Sequence, residues 1–207
     1  MTIHEPMTLA TDYLLALACG CFSILLFRMR SAATGWWCIG FAAVALAALV
    51  GGTYHGFPSF YPDALWKTTL VAAGAASCAM VVATGIATRV APQFFFWFSV
   101  LKFAAYLGWI AFNDSFLAVA VDSGSALLIV ATLHAIRGGP PWRWMISGVA
   151  LSVAAAGVQA MHLAPHPHFN HNDLYHVIQI AAMWLFYRGA SVIPAQAGIH
   201  GPPLSRG

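Results

Sequence analysis

Apolar residues in this chain come in long unbroken runs, with none of the strict two-residue alternation that marks half-buried strands. The runs cover residues 8–27, 34–54, 65–88, 92–112, 115–136, 142–163 and 173–190. Between them stand RMRS, HGFPSFYPD, RVAP, ND, RGGPP and APHPHFNHN, where charge, proline and glycine stop or turn a helix. A helix of about 20 apolar residues matches the hydrocarbon core of a bilayer. The pattern therefore predicts an all-α fold, a polytopic seven-transmembrane-helix bundle with short loops. Residues 1–190 read as one transmembrane domain. Residues 191–207 are rich in Pro and Gly and lack apolar periodicity, so they are expected to form a disordered cytoplasmic tail.

Composition strengthens the membrane reading. Of 207 residues, 60% are hydrophobic and 7% are charged, against about 25% charged in a soluble domain. The formal charge of +3 gives no nucleic-acid signal; the placement of the charges says more. Arg28, Arg30, Arg89, Arg137, Arg143, Arg188 and Arg206 fall in alternate loops or after the last run, while Glu5, Asp12, Asp63, Asp114 and Asp173 fall at the opposite ends. Because basic residues are retained in the cytoplasm during insertion, the N-terminus is expected outside and the C-terminus inside, in a multi-pass protein of the inner (plasma) membrane. Cys19, Cys21, Cys38 and Cys78 all sit within apolar runs and read as small buried hydrophobes.

Five of the nine histidines, His162, His166, His168, His171 and His176, cluster around the start of the last run, and His55 closes the second. Both positions belong to the outer boundary of the predicted bundle. Neutral imidazole is the commonest zinc-binding side chain, and a catalytic zinc takes three protein ligands and a water. His55, His176 and either His171 or His162 would supply the three, with His166 and His168 as an exposed rim. Asp63, at the outer start of the third run, and Asp122, about 10 Å deep in the fifth at 1.5 Å per residue, are the candidate general bases. For Asp122 the alternative is a structural ion pair with Lys102 of the fourth run.

Two short stretches carry a family resemblance. GGTYHGF, with Tyr54 and His55, resembles a Ser-x-x-aromatic-His motif, and HNDLYHVIQ, with Tyr175 and His176, resembles a His-x-x-aromatic-His motif. Together they resemble the CREST superfamily of seven-helix membrane proteins: alkaline ceramidases, progestin and adipoQ receptors and hemolysin III proteins. The resemblance implies an intramembrane zinc held by three His and hydrolysis of a lipid amide. The Ser of the first motif falls on Gly51 here, and the first His of the second falls on Asn172, with His171 one residue before it.

The expected function is therefore that of a membrane protein with a zinc site at its outer face, formed by His55, His171 and His176, and with Asp63 or Asp122 as catalytic base on a membrane lipid. The alternative is a non-catalytic metal-binding sensor or transporter component. Haem ligation by His55 and His176 ranks below both, because the opposite face offers only His134.

Overall fold

The computed structural model describes residues 3–193, and they form seven helices with no strand among them. These are α1 (Pro6–Phe27), α2 (Ala32–Gly56), α3 (Pro62–Thr88), α4 (Pro92–Phe112), α5 (Phe116–Arg137), α6 (Trp142–Ala160) and α7 (His171–Ser191). Most of the tail beyond residue 190, with His200 and Arg206, lies outside the described residues. Helices α1 to α5 are long and apolar enough to cross a membrane. This is a membrane-protein fold.

Local chemistry sets the boundaries. Proline opens α1, α3 and α4, where its missing N–H costs nothing because the first turn has no intrahelical acceptor for it. Ser31 and Asn170 form reciprocal capping boxes with Thr34 and Asp173 at the starts of α2 and α7, satisfying amides that the first turn leaves unpaired. Helix α6 stops at Ala160, before His162, which takes a left-handed φ of 51°.

Helices α1, α2, α3, α5, α6 and α7 pack in that order into a closed ring, and α4 leans on the outside of α3. Trp37, Phe41, Met145 and Phe186 fill the centre and are fully buried. Small residues let these helices approach. A Cβ on Gly148 of α6 would meet the Phe186 ring at 2.9 Å, and one on Gly189 of α7 would meet Met145 at 2.8 Å. Each helix thus receives the other's large side chain in a glycine notch.

One end of the bundle gathers the start of α1, the end of α2, the start of α3 and the α4–α5 and α6–α7 loops. The His4 amide donates to the Gly56 carbonyl at 3.0 Å, Tyr54 packs on Trp66, Lys67 pairs with Asp114, and the Thr8 hydroxyl donates to Asp173 at 2.8 Å. Glu5, Asp12, Asp63, Asp114 and Asp173 all belong to this acidic end. Arg28, Arg30, Arg89, Arg137 and Arg143, in the loops or the helix turns beside them, lie at the other, where the Arg188 guanidinium sits 4.7 Å from the Trp144 ring.

Candidate functional site

At the acidic end, α1 is clamped between α2 and α7. The α2 side is a shallow groove made by Gly52 and Gly56, one helical turn apart. A Cβ on Gly52 would meet the Asp12 Cβ at 2.7 Å, and one on Gly56 would meet Leu9 at 2.9 Å. Only glycine at both positions lets α1 come this close, and the close approach is what brings the Asp12 carboxylate into the interior.

From α7, His176 meets that carboxylate. Its Nε2 lies 3.2 Å from Asp12 Oδ1, and its Nδ1 lies 3.1 Å from Thr11 Oγ1. The Thr11 hydroxyl also lies 3.1 Å from the Thr8 carbonyl, so its one hydrogen serves that carbonyl or His176 Nδ1 according to the imidazole tautomer. Nε2 and Asp12 Oδ1 stand within ion-pair range of each other. Asp12 and His176 are both buried, at 4% and 9% exposure. A second pair flanks the first: His55 Nδ1 lies 3.2 Å from Glu5 Oε2.

Asp173 fastens the same corner. Its Oδ1 accepts from Thr8, and its Oδ2 accepts from the Asn170 amide at 2.7 Å. The Asn170 side chain in turn caps the Asn172 and Asp173 amides. The first and last helices are thereby joined by Thr8–Asp173, Thr11–His176 and Asp12–His176.

The expected metal triad is not brought together. His55 pairs with Glu5 and His176 with Asp12, and these two acids lie seven residues apart on α1, roughly 10 Å along its axis. His171 is the first residue of α7, because the helix is capped by Asn170 and starts ahead of Asn172. Positions 171 and 176 therefore point about 140° apart around the helix. His176 turns toward α1, while His171 Nε2 lies 3.4 Å from His162 Nδ1. Asn172, at the motif position, accepts from Gln159 of α6 at 2.8 Å. Among the described residues no group of three or more His, Cys, Asp or Glu is placed to hold a metal ion. The zinc implied by the CREST resemblance thus does not fit His55, His171 and His176 as they stand.

The expected bases lie elsewhere too. Asp63 is exposed in the first turn of α3 and makes no hydrogen bond or ion pair with any histidine. Asp122 is buried in α5 and bound to Lys102, 2.5 Å away, so the structural alternative describes it.

Sequence reasoning overlooked Asp12, Thr8, Thr11 and the clamping role of Asp173. Two signals were present: an acid inside the first apolar run, and the glycine pair at positions 52 and 56 with the spacing of a close helix crossing. Comparison with known proteins adds one match: residues 7–194 fit the model of DUF6962, a family of unknown function. No curated protein and no solved structure matches the chain.

Proposed function

The chain belongs to the DUF6962 family, and from its geometry we propose an integral membrane protein with an acid–base site for a lipid-borne substrate at the outer face. All seven helices span the membrane in this reading. Helices α6 and α7 are less apolar than the rest because their polar groups face each other: Gln159 bonds Asn172, and Gln179 bonds Ser152. Interhelical bonds of this kind are how polar side chains are carried across a bilayer. The arginine-rich end lies in the cytoplasm of a cell whose inner (plasma) membrane holds the protein, and the acidic end faces outward.

The observation that carries the functional reading is His176, buried and held through both ring nitrogens between Thr11 and Asp12. Ionisable groups kept at membrane depth are expensive and mark functional sites. An imidazole set against a carboxyl group can accept and return protons at a reacting centre. To reach substrate, His176 exchanges its contact with the Thr11 hydroxyl and keeps its place against Asp12.

A groove of about 350 Å³ supports a lipid as the substrate. It is lined by Tyr13, Ala16 and Leu17 of α1 and Ala45, Leu46 and Leu49 of α2. Its upper end is Tyr13, next to Asp12 and bonded to Thr53 at 3.0 Å. An acyl chain laid there brings its ester or amide head to the level of Asp12 and His176. Hydrolysis of a lipid amide is the reaction the CREST resemblance implies, here with the Asp12–His176 pair as proton carrier.

A second reading has its own support. Thr8, Thr11 and His176 all find hydrogen-bond partners within the protein, as befits a clasp that only locks α1 to α7. Lipid extracts from membranes carrying the chain or its His176→Gln variant separate the two. The acid–base reading expects the parent to deplete one lipid class, with release of fatty acid, and the folded variant to leave it intact. Identical lipid profiles would leave the clasp.

A further inference from the structure

We infer that His162 and His171 form a two-imidazole binding site for a borderline divalent cation, Zn²⁺, Cu²⁺ or Ni²⁺, at the outer mouth of the α6–α7 loop. Their facing nitrogens, His162 Nδ1 and His171 Nε2, are 3.4 Å apart, with ring centroids at 4.6 Å and planes at 80°. For a hydrogen bond this is long, since N–H contacts centre near 2.9–3.0 Å. For a chelate it is the right spacing. Two nitrogens bound to zinc at 2.0–2.1 Å with a tetrahedral angle lie about 3.4 Å apart. A cation at the apex takes the place of that contact once each ring turns its nitrogen lone pair toward it.

Both imidazoles are held by backbone that the loop itself organises. His162 stands in the left-handed conformation just past α6, and its amide is bonded to the Gln159 carbonyl at 3.3 Å. His171 is the first helical residue after the Asn170 cap. The intervening loop is closed by the Leu163 amide on the Val158 carbonyl and by paired backbone bonds between His166 and Phe169. The other loop histidines are engaged with each other: His166 Nδ1 accepts from the His168 amide at 3.1 Å. The protein thus offers two ligands, and the exposed position leaves the remaining coordination places to water. Imidazole selects zinc, copper and nickel over the hard cations magnesium and calcium. The site is separate from the Asp12–His176 pair, which faces α1. A bound cation would pin the end of α6 to the start of α7.

The test uses the full chain, free of any affinity tag rich in histidine, titrated with zinc chloride in detergent micelles by calorimetry. One zinc per chain is expected. His162→Ala and His171→Ala should each weaken binding at least about tenfold, the loss that removal of even an outer-shell partner brings. His166→Ala, His168→Ala, His55→Ala and His176→Ala should leave it nearly unchanged. Copper-loaded parent protein should show nitrogen couplings from two imidazoles in its paramagnetic resonance spectrum, and the His171→Gln variant from one. Absence of binding by the parent, unchanged binding in both His162→Ala and His171→Ala, or loss confined to His55→Ala and His176→Ala would overturn the assignment.

Discussion

The Lys102 ammonium of α4 lies 2.5 Å from Asp122 Oδ1 of α5 and donates also to the Asp122 main-chain carbonyl at 2.9 Å. Both side chains are buried, at 14% and 6% exposure. Helix α4 packs on α3 and touches α5 little; the charge pair joins these two helices beside the apolar cluster of Tyr106, Ile110, Ala118 and Val119.

Breaking a buried pair from one side strands a charge in an apolar setting. Lys102→Met alone and Asp122→Leu alone should each destabilise the bundle by about 3–5 kcal/mol. The double variant should recover much of that loss, because no charge then remains to be stranded. Reversible unfolding in mixed detergent micelles measures all three, and a double variant that falls by the sum of the singles would show that the two residues are not coupled.

The Thr8–Asp173 bond joins helices that are 165 positions apart in sequence. Thr8→Val keeps the shape of the side chain but leaves a buried carboxylate oxygen without its donor, at an expected cost of about 1–3 kcal/mol. Asp173→Ala should cost more than Thr8→Val, since it also removes the capping box of α7. A double-mutant cycle should return a coupling of about 0.5–3 kcal/mol; a coupling of zero would remove the clasp from the description of this corner.

Adjacent glycines of α2 should respond oppositely. Gly52→Ala drives a methyl group to 2.7 Å from the Asp12 Cβ, so α1 must move away, at about 1–3 kcal/mol for overpacking. At Gly51 a Cβ would meet only the Thr69 side chain, at 3.4 Å from Cγ2 and 3.7 Å from Oγ1, so Gly51→Ala and Gly51→Ser should both be accepted. Thermal unfolding of the three variants ranks them, and equal stability of Gly52→Ala and Gly51→Ala would contradict the clamp.

Orientation is open to a direct assay. Alkaline phosphatase fused within the His166–His168 loop should be active, and the same enzyme fused after Ser191 should be inactive, because it folds only outside the cytoplasm. The reverse pattern would turn the bundle over and place Asp12 and His176 on the inner side.

Much of this architecture is legible in the sequence, for a physical reason. An apolar run long enough to cross a bilayer admits only a helix, and Pro, Gly and paired charges end it within a residue or two. The seven helices consequently begin and end close to the runs read from the chain, and the acids and arginines separate to opposite ends as their alternation requires. Pairwise facing is another matter. Whether His171 or His176 looks at α1 depends on where α7 starts, and the Asn170 cap decides that through bonds to Asp173 and Thr8. Asp12 reads in sequence as a lone acid inside the first apolar run. It becomes interior only because Gly52 and Gly56 admit α1 against α2, a contact between segments some 40 residues apart. Hydrophobic burial, being non-directional, specifies which stretches are helices. Which imidazole meets which carboxylate is set by helix rotation and close packing, and these exist only once the whole ring has closed.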